Sequence, residues 1–208
     1  MADALLLQHQ PSPLWLFAYG SLIWNRNFES QLAQRAVAAG WHRSFCFVVK
    51  RWRGTMDTPG LMMALDRGGS CVGIAYKLPD HDHKAQLIRL LEREVDAKVA
   101  TNVPKWIWVT TGEGRIKVLA FVAARDGPAY AGRQSAEAVA RVIARAAGNW
   151  GSSAAYLQRT VSKLEEHGIR DRNLWRLQEL VAREIVALPT GAHQNFLPSA
   201  GPSIRTPD

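Results

Sequence analysis

The sequence predicts an α+β fold with strands first and helices after, and three observations carry that reading. Apolar and β-branched runs, several in period two, fill the chain up to residue 123 and are separated by glycine-containing turns. From residue 135 onward, capping residues precede apolar stripes of helical period. The two kinds of element are segregated, which argues against a wound parallel sheet.

The elements follow in order. Leu14–Tyr19 reads as a buried strand, and Ala36–Val49 as a second with Phe45, Phe47 and Val49 in period two. Leu61–Leu65 and Ser70–Leu78 flank Asp66-Arg67-Gly68-Gly69, which predicts a hairpin turn. Trp106–Thr110 and Lys117–Ala123 flank Gly112-Glu113-Gly114, a second hairpin. That makes about six strands, enough for a small barrel or closed sheet. One helix interrupts them. Asp80 or Asp82 caps it, it runs to about Asp96, and Leu87, Ile88, Leu91 and Val95 form its apolar stripe. Arg89 and Arg93 fall on its opposite face. Ser135 caps a helix through Ala147, with Val139, Val142, Ile143 and Ala146 inward. Ser153 starts another, with Leu157, Thr160, Val161 and Leu164 inward, ending at Gly168. Asp171 caps a third, with Leu174, Leu177, Val181 and Ile185 inward, stopped by Pro189. Residues 1–13 read as a loose lead-in and 189–208 as a flexible tail, leaving one domain over 14–188.

Composition narrows the function classes. A hydrophobic content of 47% and a charged content of 21% are those of an ordinary globular protein. No apolar run approaches the roughly 20 residues of a membrane span, so no membrane partner is expected. Met1–Ser12 lacks the basic and apolar regions of a secretory signal. Cys46 and Cys71 suit small buried hydrophobes in a reducing cytoplasm. His81 and His83 lack cysteine partners, so no metal site is expected. The net charge of +8 fits either a basic surface or an anionic ligand. The arginines are scattered and no nucleic-acid motif accompanies them, so a nucleic-acid partner is not expected.

Two places carry candidate chemistry. In Phe17-Ala18-Tyr19-Gly20-Ser21-Leu22-Ile23-Trp24 an apolar run stops at a glycine and a small hydroxyl. Such an end frees backbone N–H groups for an anion and lets a ligand approach the main chain. It is equally readable as a plain turn. The second place is Glu94, three residues after Leu91 and seven after Leu87, on or beside the helix stripe. A carboxylate on the core side is costly unless paired or functional, and burial raises its pKa towards that of a general base. A salt-bridged glutamate at a helix end is the alternative.

Together with Arg53-Gly54-Thr55, Pro59-Gly60, Gly73-Ile74-Ala75-Tyr76, Leu91-Glu92-Arg93-Glu94 and Pro128-Ala129-Tyr130-Ala131-Gly132, this ordered set resembles the ChaC family of glutathione-specific γ-glutamylcyclotransferases. The resemblance covers about residues 14–187. It implies a small mixed β-barrel decorated by helices and a helical C-terminal part. It implies cleavage of glutathione, the small-molecule substrate, to 5-oxoproline and cysteinylglycine without a cofactor. By that resemblance Tyr19, Gly20, Ser21, Leu22 and Ile23 hold the γ-glutamyl end and Glu94 is the acid/base. Family members usually carry a Gly-Tyr or Val-Tyr element soon after this glutamate, where the present chain has Ala97-Lys98-Val99-Ala100-Thr101-Asn102-Val103-Pro104.

The chemistry fits these residue types. The substrate's α-amine attacks its own γ-amide carbonyl, so the protein must fold the substrate and move one proton from ammonium to leaving amine. Main-chain N–H groups at Gly20 or Ser21, or the Tyr130 hydroxyl, are candidate oxyanion donors. Arg53 is a candidate for a basic rim facing the substrate's carboxylates, or a solvated surface arginine. Other readings are the same chemistry on other γ-glutamyl amino acids or amines, and a non-catalytic regulator of cation transport.

Overall fold

The computed structural model describes residues 1–8, 13–95 and 101–189 of the 208-residue chain. Five strands form a closed barrel: β1 (Trp15–Ala18), β2 (Leu32–Val49), β3 (Gly60–Lys77), β4 (Asn102–Thr111) and β5 (Gly114–Ala123), in the order β1-β3-β2-β4-β5. β1 runs antiparallel to β3 from Trp15↔Lys77 to Ala18↔Ile74. It meets β5 in parallel at Leu16↔Leu119, which closes the barrel. Closure leaves no free edge to pair with another chain. Phe17, Leu16, Leu65, Leu119 and Phe121 are buried in the barrel core.

β2 and β3 are the surprise. Each has 18 residues, about 60 Å if straight, so both must bend to serve a small barrel. The predicted hairpin turn at Asp66–Gly69 is instead a bend inside β3. Asp66 and Arg67 pair with His42 and Trp41, and Ser70 pairs with Ala39, all on the one partner strand β2. Gly68 and Gly69 sit at φ +110° and +67°, and Gly40 opposite them at φ +81° where the register slips. Glycines at positive φ are the signature of a turn and equally of a bulged, bent strand. The turn that joins β2 to β3 is residues 50–59. The Gly112–Gly114 hairpin forms as predicted, from Thr111↔Gly114 inward.

Helix α1 (Ala2–Gln8) occupies most of the expected loose lead-in. Its Ala2 and Leu5 are buried, the Trp106 indole N–H donates to the Leu5 carbonyl at 3.1 Å, and Asp3 pairs with Lys84 at 2.8 Å. The Ala2–Gln8 segment is itself mostly Ala and Leu, and packing of Leu5 fixes it on the barrel. The expected C-terminal tail beyond residue 189 lies outside the described residues.

Helix α2 (His83–Glu94) buries Gln86, Leu87, Leu90 and Leu91. Ile88, expected on the stripe, is 39% exposed, and Leu90 takes its place. The buried face is thus rotated from the predicted one. The Asp82 cap position makes no side-chain cap hydrogen bond.

The C-terminal helices obey their caps more closely. In α3 (Ala136–Arg145) the Ser135 side chain accepts from the Ala138 N–H. A two-residue ribbon, β6 (Ala147–Gly148) with β7 (Gly151–Ser152), leads into α4 (Ser153–Glu166). Its cap is Ser152, one residue before the predicted start; Ser153 is fully buried and its hydroxyl donates to the Arg53 carbonyl at 2.9 Å. Leu157, Thr160, Val161 and Leu164 face inward as predicted. Asp171 caps α5 (Arg172–Val186) through the N–H groups of Asn173 and Leu174.

One arginine joins these parts. Arg43 on β2 is only 6% exposed. Its Nε donates to the Tyr19 carbonyl at 2.6 Å, its Nη2 to the Val72 carbonyl at 2.6 Å, and its Nη1 to the Asp171 carboxylate at 3.0 Å. Truncating one member of a buried ion pair strands the rest, at about 3–5 kcal/mol. Arg43→Met is therefore expected to lower unfolding free energy by about that much in urea titration. A loss below about 1 kcal/mol, the value of an exposed pair, would contradict this role.

Candidate active site

The turn after β1 builds one wall of the site. Ser21–Ile23 forms a single 3-10 turn, with Ile23, Trp24 and Asn25 N–H groups donating to Gly20 and Ser21 carbonyls. The N–H groups that head such a turn have no acceptor within it. Gly20 has no side chain between the backbone and the space in front of it. A Cβ there would lie 2.9 Å from the Met63 Cε and 3.8 Å from the Tyr156 hydroxyl. Leu22 and Ile23 turn into the core at 4% and 3% exposure and anchor the turn.

In front of the turn is a cavity of about 1040 Å³. Ser21, Trp24 and Asn25 line it on the turn side, and Arg93, Glu94 and Asn102 on the side of α2 and β4. Phe47, Met62 and Met63 from β2 and β3 contribute an apolar floor. Trp52, Arg53, Trp150, Tyr156 and Arg159 complete the lining.

Glu92 and Glu94 both line this space, and Glu94 is the more buried of the two. Its side chain is 14% exposed, whereas Glu92 is on the surface. Burial raises its pKa above the ordinary glutamate value, and Arg93 opposes the rise by charge and by hydrogen bond. The Arg93 Nε lies 2.9 Å from Glu94 Oε1, and its Nη1 donates to Asn27 Oδ1 at 3.3 Å. Arg93 therefore does not point away from Glu94 as the helix wheel suggested: its side chain is only 18% exposed. Asn102 Nδ2 donates to the Glu94 carbonyl at 3.4 Å, and its Oδ1 is buried without a partner among the described residues. Residues 96–100, where the family's tyrosine element was missing from the sequence, lie outside the described residues.

The expected site residues divide. Glu94 and Ser21 line one cavity, and Gly20 backs it. Tyr19 does not present its side chain there. Its hydroxyl donates to the Phe121 carbonyl at 2.8 Å inside the barrel, and its carbonyl is held by Arg43. Burial, with the Glu94 charge adding to it, pushes the Tyr19 phenol well above its usual pKa. The Leu22 and Ile23 side chains point into the core and anchor the turn. Tyr130 is outside the cavity lining: its hydroxyl donates to Asp66 Oδ2 at 2.8 Å and accepts from Arg125 Nε at 3.1 Å. Asp66 already holds Arg125 at 3.2 Å, so this cluster ties the 125–130 loop to β3.

Sequence reading missed Tyr156 and Arg159, which line the cavity from α4. Tyr156 falls on the same face as the predicted inward residues Thr160 and Leu164, so helical spacing could have marked it. Its hydroxyl is pushed up to about 12, by burial first and then by the charge of Glu94, with Arg53 opposing. Tyr156 thus stands within the electrostatic reach of both poles of the cavity.

The ChaC-like protein family model matches residues 14–184. The glutathione-specific γ-glutamylcyclotransferase of Escherichia coli K12 is 33% identical over 175 residues, covering 84% of this chain and 75% of that protein. The human glutathione-specific γ-glutamylcyclotransferase 1 is 31% identical over 156 residues, covering 72% and 68%. A crystal structure of a yeast γ-glutamyl cyclotransferase specific to glutathione superposes with a TM-score of 0.73 at 19% identity, over 84% of this chain and 100% of that one. That likeness concerns the fold, and the barrel decorated by helices is common to both. With the matched span taking in the whole barrel and reaching into α5, the chain belongs to the ChaC-like family.

Proposed function

We propose that this protein is a γ-glutamylcyclotransferase that degrades glutathione to 5-oxoproline and cysteinylglycine, with Glu94 as the acid/base. The observation that carries the mechanism is a buried carboxylate of raised pKa facing the same cavity as the Gly20–Ser21 turn. The family relatives support the substrate.

The steps use few groups. The main-chain N–H groups at Gly20 and Ser21 hold the substrate's α-carboxylate or the developing oxyanion. The Glu94 carboxylate takes a proton from the α-ammonium, and the amine so formed attacks the γ-carbonyl carbon. The five-membered ring closes through a tetrahedral intermediate. The bond to the cysteinyl nitrogen then breaks as Glu94 returns the proton to that leaving amine, and the second proton shed by the ring nitrogen as it becomes the lactam N–H ends on the freed amine as its ammonium. No water enters and nothing is oxidised. Asn102 Oδ1, lacking a donor, suits the ammonium beside Glu94. Arg93 holds Glu94 in place and keeps enough of it ionised to act as base. Holding the reacting atoms together is worth up to about 7–11 kcal/mol, so positioning supplies most of the acceleration. The Tyr130 hydroxyl, already engaged by Asp66, has no part in this reading. The two buried free cysteines accord with a cytoplasmic setting, which belongs to the same proposal. No helix among the described residues is long and apolar enough to cross a membrane.

Incubation with reduced glutathione should release 5-oxoproline stoichiometrically with cysteinylglycine, and far faster than γ-glutamylalanine releases it. Comparable rates on both would move the substrate to γ-glutamyl amino acids in general. In Glu94→Gln, kcat should fall by roughly 100-fold or more while Glu92→Gln stays near wild type. Equal losses at the two positions would remove Glu94 from its role.

The pH dependence has a definite sign. Glu94 is the base only when ionised, so kcat/KM should fall as pH drops through its raised pKa. The same shift means the native state binds this proton more tightly than the unfolded chain. Stability from this group is therefore full below the unfolded pKa and lost as pH rises through the folded one. Glu94→Gln should remove that loss and melt no lower than wild type above neutral pH. A variant both inactive and markedly less stable at pH 8 would instead mark Glu94 as a structural ion-pair partner.

A further inference from the structure

Arg53 and Arg159 line the same cavity as Glu94. Neither has a carboxylate partner among the described residues, although the cavity has its own acid at Glu94. Arg53 is half-buried, with its guanidinium carbon 4.7 Å from the centre of the Tyr156 ring. Its Nη1 donates to the Ser152 carbonyl at 3.2 Å; its Nε and Nη2 have no acceptor among the described residues. Burial lowers its pKa and the like charge of Arg159 adds to that, while Tyr156 opposes. Arg159 is exposed and lies three residues after Tyr156, on the same side of α4. Two cations facing one space without an anion are an unmet demand for negative charge.

The backbone invests in this arrangement. Arg53 N–H donates to the Arg51 carbonyl at 2.9 Å, closing a three-residue turn with Trp52 at φ +66°. A bulky residue in that region is strained and persists only where its surroundings enforce it. They do: Trp150 N–H donates to the Trp52 carbonyl at 2.7 Å and Ser153 Oγ to the Arg53 carbonyl at 2.9 Å. Gly148 and Gly60 admit the turn so closely that a Cβ on either would collide with the Trp52 or Arg53 carbonyl. The Trp52 and Trp150 rings stack at 5.2 Å beside it.

We propose that Arg53 and Arg159 form a carboxylate subsite that binds the C-terminal carboxylate of the leaving peptide, making the protein selective for γ-glutamyl peptides that end in a free acid. This rests on the cyclotransferase reading above, in which the Gly20–Ser21 turn takes the α-carboxylate and leaves the C-terminal one to these arginines. The stacked guanidinium of Arg53 keeps its Nε–Nη2 edge free, the edge that binds a carboxylate through two parallel hydrogen bonds. Arg159 adds charge from the open side. Both are assigned to binding and neither takes part in the proton transfer, so their loss should raise KM and leave kcat nearly unchanged.

The test compares glutathione with its C-terminal glycinamide, which is nearly isosteric and lacks only that charge. Wild type should favour the acid about 10-fold or more in kcat/KM, the scale of a charge-assisted hydrogen bond. Arg159→Gln changes an exposed side chain without a bond to the fold. It should raise KM for the acid, leave the amide unaffected and shrink the discrimination; Arg53→Lys, losing the fork but not the charge, should do the same. Equal kcat/KM for acid and amide in wild type would overturn the subsite while leaving the cyclotransferase reading intact. So would variants that lose kcat on both substrates alike. Failure of wild type to cleave either compound would overturn the reading itself.

Discussion

The site hangs from a buried guanidinium. Arg43 gathers the Tyr19 carbonyl, the Val72 carbonyl on β3 and the Asp171 carboxylate that caps α5. A strand that ends in Tyr-Gly-Ser must leave the sheet abruptly, and its last carbonyl loses its ladder partner there. A planar donor fork answers that carbonyl and ties it to the C-terminal helices at once. The Gly20–Ser21 turn can then present its N–H groups to a ligand instead of collapsing onto the barrel. The Tyr19 side chain completes the anchorage from within, through the Phe121 carbonyl.

Opposite that turn, the protein holds an acid in a place that disfavours its charge. Burial raises the Glu94 pKa and Arg93 limits the rise. A base needs both effects: enough ionised form to accept a proton and enough affinity to give it back usefully. Elsewhere on the cavity wall the imbalance is reversed, with Arg53 and Arg159 lacking carboxylate partners among the described residues. A γ-glutamyl peptide carries an ammonium at one end and a carboxylate at the other, so it matches this polarity along its length.

Local rules served the sequence reading where structure was local. Ser135 and Asp171 cap the helices they were expected to cap, and the Gly112–Gly114 hairpin closes where two periodic runs meet. They failed where one strand pairs over its whole length with a distant partner. Gly68-Gly69 looks the same in a turn and in a bulged strand, and only the pairing of both flanks with β2 tells them apart. Glu94 was legible because helical spacing placed it near the core side of α2, even though the stripe itself was rotated by one position. Tyr130 was not, because its engagement by Asp66 spans 64 residues. Arg53 was marked as a candidate for a basic rim, but its joining with Tyr156 and Arg159 was hidden: the strained turn and the helix lie about 100 residues apart and meet through Ser152 and Ser153.

The central claim is that Glu94 titrates as a buried base, and its own titration tests it most directly. Carbon-13 labelling of glutamate side chains, with Glu94→Gln to identify the missing resonance, would follow the carboxyl carbon against pH. The account predicts a midpoint above the ordinary glutamate value, moving further up when Arg93 is replaced by Gln. A midpoint at or below the ordinary value would contradict it, since Glu94 would then be a stabilised ion-pair partner and not a base.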